Sequence, residues 1–311
     1  MKAAAVQINS TADFGANLAT ADRLTRAAAA DGADLIVLPE KWNAMGSEEE
    51  LRACAQPLDG PAVSWARDIA AELHVDLVAG SFLERIPGEE KFANTCVHVS
   101  ASGGVRAVYR KLHMFDVSID GRSYRESDIE LPGEEIVLSQ TTAGAGGDAG
   151  EPREGRRGSA GESGGRDAAD ESGAANKSGE AGEPGVELGL AICYDLRFPE
   201  LFRILTVSGA RILALPSAFT LPTTRDHWEV LVRARAIENQ AFVIAANQVG
   251  PHPGGLRSGG RSMIVDPWGV VLAQAPDGEH RVCAELDLER QVEIRAQLPA
   301  LTHRRPEAYV T

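Results

Sequence analysis

Residues 187–201 read ELGLAICYDLRFPEL. The first half is a short apolar run of strand length, and the second half passes into a helical pattern over about 198–208. Cys193 stands where the strand stops, with Tyr194-Asp195-Leu196-Arg197 directly behind it. A strand that ends and turns into a helix is the repeating unit of a layered α/β protein. A thiol at that junction is either a small core hydrophobe or a nucleophile facing a pocket.

Outward from this unit the same alternation recurs. AAAVQI is a strand, followed by a helix over about 16–30 with Gly32 as its stop signal. DLIVLP is the next strand, and GPAVSWARDIAAEL opens a helix with Pro61 in its first turn. VDLVAGSF is a strand, and NTCVHVS and GVRAVYRK form a hairpin through Ser102-Gly103-Gly104. EEIVL, VELGLAIC, RILALPS and AFVIAAN continue the sheets, with a second late helix over about 226–240. RSMIVDPWGVVLAQ reads as a hairpin near Pro267-Trp268-Gly269, and RVCAELDL as a closing strand. The pattern predicts an α/β layered architecture in a single domain spanning 1–311. One segment interrupts it: residues 141–185 are dense in glycine and contain no Leu, Ile, Val, Phe, Tyr or Trp. Such a segment buries too little apolar surface to offset its ordering entropy, and it is expected to be a disordered surface insertion.

The 311 residues are 43% hydrophobic and 24% charged, the balance of a globular protein with a sizeable core. A net charge of −14 argues against a nucleic-acid partner held through phosphates and against attraction to an anionic membrane. No apolar run has the length of a membrane span, and the N-terminus lacks the apolar core of a signal peptide, so a cytoplasmic protein is expected. Cys54, Cys96, Cys193 and Cys283 give neither a disulfide framework nor CxxC metal spacing, and are expected to be reduced thiols.

Three ionisable residues follow three strands: Glu40 in ADLIVLPEKWN, Lys111 in VRAVYRKLHMFD and Cys193 in LGLAICYD. Sites in open α/β sheets lie outside the carboxyl ends of strands, so the trio occupies positions where it could converge. A free thiol near pKa 8.5 costs about 2 kcal/mol to ionise at neutral pH. A glutamate can take that proton and return it to a leaving amine. A lysine ammonium can stabilise the oxyanion, and the Tyr194 N–H just past the nucleophile can serve as a second donor. Taken singly, each has a plainer explanation: a core cysteine, a glutamate capping a turn, a solvated lysine.

Taken together, these segments resemble the nitrilase, or carbon–nitrogen hydrolase, superfamily. The family's Glu–Lys–Cys triad is similar to LPEKW (Glu40), YRKLHMFD (Lys111) and ICYDLRFPEL (Cys193), in that order, and a supporting glutamate matches Glu126 in GRSYRES. LPSAFT, HWEVLVRARAIENQ, MIVDPWGVVLA and RRPEAY extend the likeness to the branch of deaminated glutathione amidases and omega-amidases. The resemblance implies an α-β-β-α sandwich that dimerises, amide hydrolysis through a cysteine thioester, and no metal or organic cofactor. It implies a small-molecule amide substrate bearing a carboxylate, commonly a 2-oxo acid, with water as co-substrate. Deaminated glutathione leads; α-ketoglutaramate, α-ketosuccinamate and N-carbamoyl compounds are the alternatives. It places the substrate carboxylate on Arg197, whose other reading is a pairing with Glu200, and lines the pocket with Tyr194, Phe219 and Thr223. Asp195 reads as a supporting residue, and His227 and Trp228 as a lock on the loop–helix junction. The chain departs from the branch at Thr223-Thr224-Arg225-Asp226, where relatives commonly have Thr-Gly-Pro-Ala, and at Arg261, where a histidine is usual. A scaffold that retains the fold without catalysis, or a thiol redox sensor, are the readings from other functional classes.

Overall fold

The computed structural model describes residues 1–119, 121–142 and 185–308. The strands are β1 (Lys2–Gln7), β2 (Leu35–Val37), β3 (Asp76–Val78), β4 (Phe82–Arg85), β5 (Phe92–Val99), β6 (Val105–Arg110), β7 (Asp116–Ile119), β8 (Arg122–Arg125) and β9 (Glu130–Leu131). They continue as β10 (Leu138–Gln140), β11 (Glu187–Leu190), β12 (Ile212–Ser217), β13 (Phe242–Asn247), β14 (Val249–Pro251), β15 (Arg257–Gly259), β16 (Met263–Val265), β17 (Val271–Gln274) and β18 (His280–Glu285). Among the described residues one sheet has the order β18-β1-β2-β3-β5-β4, with β6 and β9 paired to β5. The other has the order β10-β11-β12-β13-β16-β17. In both, the central strands run parallel: β1-β2-β3 in the first, β11-β12-β13 in the second. Two small ribbons, β7-β8 and β14-β15, stand apart.

The two-residue period of β1 explains the layering. Ala3 and Ala5, with Leu35, Val37 and Val78, join one buried cluster with Leu213, Val243 and Ile264 of the second sheet. Ala4 and Val6, with Ile36 and Leu77, join a different cluster made with Ala21, Leu24, Ala62 and Ile69. Those last four belong to helices α1 (Phe14–Ala30) and α3 (Pro61–Leu73). On the outer side of the second sheet lie α4 (Pro199–Val207) and, after the one-turn α5 (Leu221–Thr223), α6 (Glu229–Asn239). The order of layers is therefore α-β-β-α, and burial on both faces is why the central strands are almost continuously apolar.

Helix boundaries follow local chemistry. Asp13 caps α1 by accepting from Ala16 N–H, and Gly32, at φ 85°, ends it in the left-handed region. Periodicity missed two helices, α2 (Glu48–Cys54) and α7 (Leu288–Gln297). The first carries a sequence signal nonetheless: Ser47 and Glu50 form a reciprocal capping box. The expected strand over 75–82 is two strands, β3 and β4, because the chain turns at Gly80 with φ 56°. The expected strand over 134–138 shifts to β10, where Leu138–Gln140 find ladder partners in Glu187–Gly189. Residues 143–184 of the glycine-rich insertion lie outside the described residues. Its two ends meet: Thr141 N–H donates to Val186 O at 3.0 Å, and Val186 N–H donates to Thr141 Oγ1 at 3.0 Å. No helix among the described residues is long and apolar enough to cross a membrane.

Gly80 couples the fold to the loop after β2. A Cβ there would sit 2.1 Å from Pro39 O and 2.8 Å from the Trp42 ring, in a backbone conformation that side chains resist. Gly80→Ala is expected to cost about 2–4 kcal/mol, read as a lower denaturation midpoint in urea.

Candidate active site

Glu40 lies three residues past the end of β2 at Val37, after Leu38-Pro39, and its main chain is held from the side of the second sheet. Its N–H donates to Ser217 O in β12 at 3.4 Å, and its carbonyl accepts from Gln248 Nε2 at 3.0 Å. Lys111 directly follows β6 and donates its N–H to Asn94 O in β5 at 2.9 Å. Cys193 begins a 3-10 turn, Cys193–Arg197, three residues past the end of β11, with φ 49°. A non-glycine residue in that region is strained, and such strain concentrates where a side chain must be presented at a turn.

The structure brings these three side chains together. Lys111 is fully buried, and its Nζ lies 3.0 Å from Glu40 Oε1 and 2.6 Å from Glu126 Oε2. Asn94 Nδ2 donates to the same Glu40 oxygen at 2.8 Å. The Cys193 thiol lies close enough to Glu40 and Lys111 for the charges of both to act on it. Burial raises the thiol pKa well above its ordinary value, the Glu40 charge raises it further, and the Lys111 charge opposes both. Ionising this thiol therefore costs more than the about 2 kcal/mol of a free one, so the group rests as a thiol. Burial works against the Lys111 ammonium too, but Glu126 and Glu40 reverse the effect and raise its pKa.

Glu126 opens a 3-10 turn after β8. Its Oε2 also accepts from Phe115 N–H at 2.8 Å, and Oε1 faces Lys41 Nζ at 3.5 Å. Burial pushes its carboxyl up, but the Lys111 and Lys41 charges outweigh burial and hold it below the usual carboxylate range.

Asp195 stabilises the turn that carries Cys193. It is fully buried, and its Oδ2 accepts from Ile192 N–H at 2.8 Å and from Tyr109 Oη at 2.6 Å. Its Oδ1 meets His113 Nδ1 at 2.7 Å and His113 N–H at 3.2 Å. One carboxylate thus ties the turn to β6 and to the loop after Lys111. The His113 ring stacks on Phe198, centroids 3.6 Å apart.

Cys193, Glu40 and Glu126 line a cleft of about 310 Å³ together with Tyr194, Arg197, Phe219, Thr220 and Thr223. Arg197 lies over the rings of Tyr194 and Phe219, at 5.8 and 5.6 Å, and approaches His227 Nδ1 at 3.4 Å. No carboxylate pairs with it among the described residues, Glu200 included. Trp228 is buried and donates its indole N–H to Arg261 O at 2.7 Å. The Thr220–Thr223 side of the loop borders the cleft, whereas Arg225 and Asp226 are exposed and face each other at 3.6 Å. The charged departures in that loop therefore lie away from the cavity wall.

The carbon–nitrogen hydrolase family profile matches residues 2–296. The chain belongs to the carbon–nitrogen hydrolase family. It is a hydrolase of the nitrilase superfamily, acting on carbon–nitrogen bonds other than peptide bonds. Bovine deaminated glutathione amidase is 38% identical to this carbon–nitrogen hydrolase over 98% of the chain and 82% of that protein. A bovine omega-amidase is 30% identical over 98% of this chain and 95% of its own length. Among solved structures, the C. elegans NitFhit protein superposes with a TM-score of 0.80 at 32% identity, covering 99% of this chain and 66% of that one.

Sequence reasoning missed three polar residues of this carbon–nitrogen hydrolase site. Asn94 sits in β5, where every residue is buried and no alternation marks it out. Lys41 and Glu130 are both buried and ion-paired to each other, and both line the cleft. Only the unusual Glu-Lys doublet in LPEKW hinted at the first.

The lowered pKa of Glu126 gives a signed stability test. Its carboxylate is favoured in the folded state, so its contribution is complete above the usual carboxylate range and is lost as pH falls through and below it. Glu126→Gln is expected to remove about 1–3 kcal/mol at neutral pH and to flatten the acid limb of the stability–pH curve, measured by urea unfolding between pH 3 and 7.

Proposed function

We propose that this chain is an amidase that cleaves deaminated glutathione, with Cys193 as nucleophile, Glu40 as the proton carrier and Lys111 as the oxyanion's counter-charge. The observation that carries the chemistry is the meeting of a thiol and a carboxylate on the cleft wall with a buried ammonium directly behind them. In the acylation step the Cys193 sulfur bonds to the amide carbon while its proton passes to Glu40. The carbonyl oxygen takes up negative charge beside Lys111 Nζ, where a fixed ammonium in a water-poor cleft is most effective. Collapse breaks the C–N bond, Glu40 returns the proton to the departing nitrogen, and a thioester remains. Water then attacks that carbon, gives its proton to Glu40, and the C–S bond breaks to regenerate the thiol and release the acid.

The raised pKa of Cys193 fits this sequence. Proton transfer is worthwhile only as the new C–S bond forms, so the empty enzyme holds a quiet thiol. Glu126 is a second carboxylate on Lys111 beside Glu40 and helps keep the ammonium charged. Arg197, free of a carboxylate partner among the described residues, is the receptor for the carboxylate of the 2-oxo acid end. Tyr194 and Phe219 pack beneath it, and Thr223 borders the same end. The substrate choice rests on the likeness to the deaminated glutathione amidases, which is greater than that to the omega-amidase.

Deaminated glutathione is expected to yield 2-oxoglutarate and cysteinylglycine, followed by chromatography. Cys193→Ala should lower kcat by about 10⁴-fold or more, and Glu40→Gln by about 10²–10⁴-fold. Faster turnover of α-ketoglutaramate or α-ketosuccinamate, read as ammonia release, assigns the chain to the omega-amidases; activity only on N-carbamoyl acids overturns both. Arg197→Lys is expected to raise KM about 10-fold or more with a smaller change in kcat, since a point charge replaces a two-pronged donor. An unchanged KM removes Arg197 from the binding site.

A further inference from the structure

Five charged side chains of alternating sign adjoin one another at the cleft, four of them lining it and Lys111 buried behind. Glu40 meets Lys111 at 3.0 Å, Lys111 meets Glu126 at 2.6 Å, Glu126 meets Lys41 at 3.5 Å, and Lys41 meets Glu130 at 2.5 Å. The first four close into a ring, because Lys41 is the residue after Glu40. Lys41 has φ 49°, a left-handed conformation that costs a lysine roughly 1–2 kcal/mol. With that backbone, the adjacent Glu40 and Lys41 side chains reach different members of the network instead of each other.

Glu130 ends the series. It is 1% exposed; Oε1 takes the Lys41 ammonium, while Oε2 is buried with no hydrogen-bond partner among the described residues. Three carboxylates face two ammonium groups, so the fully ionised set carries one surplus negative charge beside the thiol. Burial, aided by Glu126, pushes the Glu130 carboxyl up, and the Lys41 ammonium seated on Oε1 pulls against that rise.

We propose that Lys41 and Glu130 are positioning residues for the hydrolysis at Cys193. Lys41 fixes the Glu126 oxygen that Lys111 does not use, and Glu130 keeps Lys41 from closing onto Glu126 in competition with Lys111. The inference rests on the reading of Cys193, Glu40 and Lys111 as the reacting set. Without Lys41, Glu126 is anchored only through the oxygen that Lys111 and Phe115 share, and Lys111 loses its fixed aim at Glu40 and the oxyanion. Without the Glu130 charge, Lys41 shifts toward Glu126 and weakens its hold on Lys111.

The test compares Lys41→Met, Lys41→Arg and Glu130→Gln with wild type and with Cys193→Ala, using whichever of the three amide classes turns over. Lys41→Met is expected to lower kcat by about 10–100-fold with KM within about twofold, and Glu130→Gln to lower kcat by about 3–10-fold. Lys41→Arg should recover most of the loss, because the charge is kept. Alkylation of Cys193 by iodoacetamide, followed by mass spectrometry, gives a readout independent of substrate and should slow at least about threefold in Lys41→Met. A kcat and alkylation rate unchanged in Lys41→Met, while Cys193→Ala is inactive, overturn this inference alone. A KM that rises tenfold at constant kcat overturns it in favour of a substrate contact. Activity persisting in Cys193→Ala overturns the underlying reading instead. If Lys41→Met does not fold, Glu130→Gln decides by the same split of kcat from KM.

Discussion

An ammonium group without solvent exposure is the constraint on which the rest of the site depends. Desolvating such a charge costs several kcal/mol unless carboxylates stand close on more than one side. Lys111 meets that condition through Glu40 from the end of β2 and Glu126 from the turn after β8. Meeting it forces the end of β6, the loop after β2 and the β7–β8 ribbon into one place. Substrate-sized space is left on the side where Cys193 enters from the other sheet. Glu40, one of the two carboxylates that stabilise the lysine, also raises the pKa of the Cys193 thiol, on top of the larger effect of burial.

The turn that presents Cys193 is held by different means. A strained residue keeps its conformation only when its surroundings over-determine it, and Asp195 supplies most of that determination. Its two oxygens gather the Ile192 main chain, the Tyr109 hydroxyl and two donors of His113. Tyr109 and His113 flank Lys111 in sequence, so the elbow and the ammonium are fastened to the same stretch of chain. Relative placement of sulfur and ammonium is thereby fixed across the two sheets.

Much of this was legible in the sequence, and the gaps have physical reasons. Strand ends were readable because apolar runs stop abruptly at Pro39-Glu40, at Arg110-Lys111 and at Ile192-Cys193. The two-sheet layering followed from resemblance; the alternation in β1 that explains it is hidden by three consecutive alanines, which look alike on either face. Asn94 was invisible because β5 is buried along its whole length. Lys41 and Glu130 were invisible because nothing local distinguishes an ion pair formed across 89 residues from two solvated charges. The α2 helix was missed by periodicity though its capping box was in plain view, and the β3–β4 break needed the conformation of Gly80.

The meeting of Thr141 with Val186 bears on how this chain tolerates change. Thr141 and Val186 pair next to the rungs of one antiparallel ladder, at the end of β11 remote from Cys193. For a chain closed at its base, the entropic cost of extra length grows only logarithmically. Closed at its base in this way, the ladder holds the register of β11, and with it the place of Cys193, with little dependence on the length of chain between its rungs.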